Sequence, residues 1–139
     1  MVQLIVGNKG KGKTKHLLDK VNSQVKEVPG NIVYLDKSTK HMFELNNKVR
    51  LIDVSQYMIE DGSEFVGFIA GIISQDHDLQ QMYLDSFLSI ACLEGLEITD
   101  TVEKLEKLSD TYGIDFILSI GMDKEDLPES MKEKIIVSL

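Results

Sequence analysis

Apolar residues along this chain follow two rhythms, short β-favouring runs and longer stretches spaced by three or four. Val2–Val6 is a strand-like run ended by Gly7, the pattern of a buried strand feeding a sharp turn. Leu17, Leu18, Val21, Val25 and Val28 then recur at helical spacing until Pro29 and Gly30 stop the pattern. Residues 32–35 read as a second strand and 49–54 as a third, with Ser38 and Thr39 in the polar connection between them. Residues 63–74 predict a buried helix whose Gly67 and Gly71, one turn apart, would let another element approach closely.

The next segment admits two readings. Residues 81–87 fit a strand ending in Asp85, yet Leu79, Met82, Tyr83, Phe87, Ile90 and Ala91 also fall at helical spacing. A layered domain needs another strand between two helices here, so the strand up to Asp85 is preferred. Residues 101–112 predict a helix with Val102, Leu105 and Leu108 on one face, Asp100 and Glu103 placed to cap it and Gly113 to stop it. Residues 114–120 read as a strand, and 134–137 as a last one after a helical turn near Pro128. Strands alternating with helices predict an α/β fold, three layers with a mainly parallel sheet flanked by helices.

Composition narrows this picture. With 139 residues, 42% of them hydrophobic, the chain suits one domain spanning 1–139. Its net charge of -8 would repel nucleic acid or an anionic membrane surface. Cys92 is the only cysteine, which excludes an internal disulfide and a cysteine-based zinc site, and His16, His41 and His77 are scattered. The longest apolar stretch, 65–73, is far below the ~20 residues that span a bilayer, and no leader pattern precedes the first strand. A cytoplasmic protein without a membrane span is expected.

The chemistry concentrates between the first strand and the first helix. Gly7, Asn8, Lys9, Gly10, Lys11, Gly12, Lys13 and Thr14 match the G-x-x-x-x-G-K-[ST] pattern at every fixed position. Glycines let the backbone turn its N–H groups inward as a nest for phosphate oxygens at a helix N-terminus. Lys13 would reach the β- and γ-phosphates of a nucleoside triphosphate, and the Thr14 hydroxyl would ligate a magnesium ion bridging them. A chance glycine-lysine turn is the alternative, and the strand before the loop and the helix after it weigh against it.

On these residues the chain resembles the P-loop nucleoside triphosphatase superfamily, tightly over the loop and elsewhere by element order, and most closely its small RecA-like ATP-binding members. The resemblance implies ATP and magnesium as ligands and a second motif beside the first strand, an apolar strand ending in an aspartate that holds the magnesium water shell. Asp36, Asp53 and Asp85 all follow such strands. The RecA-like order, with a helix, strand and helix intervening, favours Asp85, with Asp36 second. Lys13 and Asp85 are thus the expected catalytic groups, and Thr14 and Asp85 the expected metal-holding pair. Ser119 would correspond to a polar sensor of the γ-phosphate, or is a serine at the edge of the core.

Fast hydrolysis has less support. The position after Asp85, where many relatives carry a glutamate, is Ser86, which leaves Asp36 or Asp53 as substitute carboxylates. Arg50 is the chain's one arginine, a surface charge or a finger within the subunit or across a homo-oligomer interface. Asp123, Lys124, Glu125 and Asp126 approximate a guanine-reading pattern, and Asp110 to Gly113 a second GTPase element, but their spacing is wrong and 123–126 reads as a solvated turn. Asn8 stands where one dimerising subgroup has a signature lysine, and Lys15 is read as solvating the loop. The leading expectation is an ATP-binding protein with slow or partner-stimulated ATPase activity. A small-molecule kinase, or a nucleotide-gated module for an unknown protein partner built partly on the 63–74 helix, are the alternatives.

Overall fold

The computed structural model describes all residues from Met1 to Leu139. The chain order is β1 (Val2–Val6), α1 (Lys13–Gln24), β2 (Asn31–Asp36), β3 (Val49–Asp53), α2 (Gly62–Ser74), β4 (Leu79–Leu84), α3 (Phe87–Ile90), α4 (Thr99–Tyr112), β5 (Asp115–Ile120), α5 (Glu129–Lys132) and β6 (Ile135–Ser138). The strands form one six-stranded sheet in the order β3-β2-β4-β5-β1-β6. Every pairing is parallel. The ambiguous segment is a strand, β4, as far as Leu84, just before Asp85, and Phe87 already opens α3.

Period-two alternation divides the core between the two faces of the sheet. Ile5, Ile32, Tyr34, Tyr83 and Ile117 face α1 and pack on Leu17, Leu18 and Val21. Their strand neighbours Leu4, Val6, Val33, Leu35, Met82, Leu84, Phe116 and Leu118 join Phe65, Ile69 and Ile73 of α2 and Val102 and Leu105 of α4 on the other face. With both faces covered the central strands are nearly continuous apolar runs, as parallel sheets require. No helix is long and apolar enough to cross a membrane.

Three local expectations are corrected. Gly67 and Gly71 lie on the exposed side of α2, and a Cβ at either would meet nothing within 4 Å. The close approach is instead at Gly62, where a Cβ would lie 2.6 Å from Thr101 Oγ1 on α4. The apolar face of α2 is set by Phe65, Ile69 and Ile73, and this turns the two glycines outward. Helix α4 begins two residues earlier than expected: Thr99 N donates to the Glu97 carboxylate at 2.9 Å, so Asp100 falls inside the first turn and pairs with Lys104 at 3.2 Å. It ends at Gly113, in left-handed conformation, as expected. Helix α1 stops at Gln24, before Pro29, with Val25 and Val28 packed on the core through the turn that follows.

Candidate functional site

Parallel pairing brings the carboxyl ends of the central strands level. Val6 pairs with Ile120, Leu118 with Leu84, and Leu84 with Leu35. The residues that follow, Gly7, Asp85 and Asp36, therefore emerge along one edge. Here a cleft of about 590 Å³ opens, lined among others by Gly10, Gly12, Lys13, Thr14, Asp36 and Asp85.

The loop between β1 and α1 enters this cleft in an unusual backbone conformation. Gly10 and Gly12 have φ of 85° and 89°, which side-chain-bearing residues rarely adopt, and neither has an atom within 4 Å of where a Cβ would lie. The space above them is open. Gly12 begins α1 without a side-chain cap or an acidic residue in its first turn, so the orphan N–H groups and positive dipole end of a 12-residue helix face the cleft. Lys13 Nζ donates to Asn8 O at 3.2 Å, and burial lowers its pKa against the attraction of Asp85. Gly7 lies beneath, where a Cβ would come within 3.0 Å of Leu139 Cβ. Lys9 lines the cleft, whereas Gly7, Asn8 and Lys11 do not, and Lys15 pairs with Asp19 at 3.2 Å on the surface.

Asp85 is the organising group. It is 2% exposed, and both its carboxylate oxygens accept hydrogen bonds. Oδ1 accepts from Ser119 Oγ at 2.8 Å, from Ser86 N at 2.8 Å and from Thr14 Oγ1 at 3.3 Å. Oδ2 accepts from Tyr34 Oη at 2.7 Å. Ser86, left-handed at φ 53°, turns its N–H back toward this carboxylate and toward Ser119 Oγ at 2.9 Å. Ser119 is 1% exposed and is spent on these two contacts. Burial first, then the charge of and hydrogen bond to Asp85, raise the Tyr34 pKa far above its ordinary range.

The three competing aspartates separate cleanly. The resemblance had implied a strand beside β1, but β5 lies between β1 and β4; Asp85 still reaches the hydroxyl of Thr14, on a helix that packs in one cluster with Ile5 of β1, Ile117 of β5 and Tyr83 of β4. Asp36 also lines the cleft and is 3% exposed. Its Oδ1 accepts from Lys37 N at 2.7 Å, and its Oδ2 is buried without a partner. Burial and the charge of Asp85 raise its pKa, opposed by the Lys37 hydrogen bond and by the charges of His41 and Lys37. Asp53 takes no part: it is level with Asp36 on the outer strand, but its carboxylate accepts from Ser55 Oγ at 2.6 Å and Ser55 N at 3.0 Å, and it is outside the cleft.

Arg50 is also remote. It lines a separate cavity of about 550 Å³ with Asn31, Asn47 and Asp76 at the opposite, amino-terminal edge of the sheet, so no arginine of this chain reaches the cleft. Residues 123–126 form an exposed turn, and 110–112 lie within α4. The sequence had not pointed to Tyr34, Lys37, Lys40 or His41 as parts of the site. A tyrosine inside an otherwise apolar strand was the one available signal, since a buried phenol needs a partner.

The residues fit a magnesium-bound polyphosphate. Open backbone donors, a lysine and a helix N-terminus suit phosphate oxygens. The Thr14–Asp85 pair offers hard oxygen donors beside them, and there is no cluster of three His, Cys, Asp or Glu side chains that would suit a protein-only metal cage.

No family model matches the chain, and no curated protein matches it. Among solved structures its fold is similar to the crystal structure of flagellar accessory protein FlaH from Methanocaldococcus jannaschii, with a TM-score of 0.61 and 13% sequence identity over 93% of this chain and 63% of that one. The chain thus spans less than two thirds of that protein's length. What the likeness establishes is the architecture, a six-stranded parallel α/β fold whose helices cover both faces of the sheet.

Proposed function

We propose that this protein binds ATP with magnesium in the cleft at the carboxyl edge of its sheet. The observation that carries the reading is the 3.3 Å contact between Thr14 Oγ1 and Asp85 Oδ1, which joins a complete phosphate-loop sequence to a buried carboxylate at a strand end. Gly10, Gly12 and the first turn of α1 would hold the phosphates, Lys13 would neutralise them, and Thr14 with Asp85 would hold magnesium and its waters. Magnesium held there would supply charge neutralisation at the terminal phosphates. Asp36, with its unpartnered Oδ2, is the carboxylate suited to orient an attacking water. Because Ser86 follows Asp85 and no arginine lines the cleft, the chain supplies neither the usual adjacent glutamate nor an arginine finger, and hydrolysis is slow or partner-stimulated.

Calorimetric titration with ATP and magnesium tests the binding reading. Saturable binding that Lys13→Ala weakens at least tenfold supports it, and no heat above that of the variant overturns it. An ATP turnover rate equal to that of Lys13→Ala would remove the enzymatic part and leave a nucleotide-gated binding protein.

A further inference from the structure

The side of the cleft opposite the phosphate loop has a charge pattern that nucleotide binding by the loop does not use. The chain carries a net charge of -8, yet Lys37, Lys40 and His41 line the cleft within five consecutive residues that include no acid. The chain's lysine ion pairs are at Lys15, Lys104, Lys132 and Lys134, so neither Lys37 nor Lys40 is held in an ion pair, although the carboxylates of Asp36, Asp85 and Glu94 share the cleft with them. His41 is half-buried and held by Glu44 at 3.4 Å. All three residues line the same cleft as Asp36.

Their place in the sheet separates them from the loop. Strands β5 and β4 lie between β1 and β2. Three strand steps of about 4.8 Å put the end of β2 roughly 14 Å from the end of β1. Lys37 therefore emerges beyond Asp85 as seen from Gly7. Two lysines free of ion pairs on the wall of a cleft in an acidic protein raise the local concentration of anions that the rest of the surface repels.

We infer that Lys37, Lys40 and His41 form a second oxyanion-binding subsite, facing the phosphate loop across the cleft. Its ligand is a phosphate-type oxyanion, carried either by the terminal phosphate of the nucleotide or by a second small phosphorylated molecule. The first source rests on the nucleotide reading; the second does not.

Titration calorimetry in phosphate-free buffer tests this with ADP, a non-hydrolysable ATP analogue and inorganic phosphate as probes. Lys37→Ala/Lys40→Ala is compared with Lys26→Ala/Lys48→Ala, which removes the same charge from exposed positions outside the cleft. If the nucleotide supplies the oxyanion, the first variant loses about fivefold in preference for the analogue over ADP, a loss fitting two partly exposed charge contacts. If a second molecule supplies it, inorganic phosphate binding to the ADP-loaded protein falls by about the same factor while ADP affinity holds. Equal behaviour of the two variants in both measurements overturns the subsite. If neither nucleotide binds, the nucleotide reading fails by itself, and phosphate binding to the free protein decides the subsite: weakened only by the Lys37/Lys40 variant it stands, otherwise it falls.

Discussion

Tyr34 Oη donates a 2.7 Å hydrogen bond to Asp85 Oδ2 and ties the strand next to β4 to the carboxylate that meets the phosphate loop. Tyr34 is fully buried, and its ring stacks on Tyr83 at 6.3 Å. Tyr34→Phe keeps the ring and removes only the hydroxyl. Hydrogen bonds to charged groups are worth about 1.5–3 kcal/mol, so a loss of stability in that range is expected from denaturant unfolding. The freed Oδ2 also lets the carboxylate rotate away from Thr14. The magnesium concentration needed for half-maximal ATP affinity should therefore rise, while magnesium-free affinity is unchanged. A stability loss without the magnesium effect would mean that Tyr34 supports only the fold.

Asp36 makes stability pH-dependent in a defined direction. Its pKa is raised above the ordinary 3.8, mainly by burial and then by the charge of Asp85. Between the ordinary and the raised value the folded state binds more protons than the unfolded one, so this group's contribution is complete at low pH and is lost as pH rises through the folded pKa. Asp36→Asn keeps an acceptor for Lys37 N and removes the titration. The stability of the variant relative to wild type should thus increase from acid toward neutral pH. A difference that is flat with pH, or of opposite slope, would contradict the burial argument.

Much of this arrangement was legible in the residues. The loop was fixed by its own pattern, and the strand ending at Asp85 by the need for a strand between two helices. What periodicity could not give was side-chain partnership across the sheet. Tyr34, Asp85 and Ser119 are remote in sequence and meet only because β2, β4 and β5 are adjacent. The same limit applies to the aspartates: Asp36 and Asp53 both end apolar strands, but their fates depend on strand order, which sets Asp36 beside β4 and leaves Asp53 on the outer strand to cap its own turn.

The glycines of α2 offer a test of which of its faces is packed. Gly62→Ala would put a methyl group 2.6 Å from Thr101 Oγ1 and 3.3 Å from Leu93 Cδ2, and should cost about 1–3 kcal/mol as α2 and α4 separate. Gly67→Ala and Gly71→Ala meet no neighbour and relieve the entropic cost of glycine in a helix, so each should be neutral or stabilise by up to about 1 kcal/mol. Thermal or denaturant unfolding of the three variants ranks them. Destabilisation by the outer two would mean that something covers this face in solution.

Removing the charge of Asp85 should move two neighbours of opposite type in the same direction. Its negative charge raises the pKa of Asp36, where burial is the larger cause, and it partly offsets the burial that lowers Lys13. In Asp85→Asn both supports disappear, so the Asp36 carboxyl and the Lys13 ammonium should each titrate at lower pH than in wild type. NMR titration of the Asp36 carboxyl carbon and of Lys13 Cε reads both in one sample. The amide nitrogen that this substitution introduces belongs on the Oδ2 side, where the Tyr34 hydroxyl can turn and accept from it, because on the Oδ1 side it would face the Ser86 N–H. General loosening of the site would relieve burial and move Lys13 upward; a joint downward shift is the signature of the lost charge.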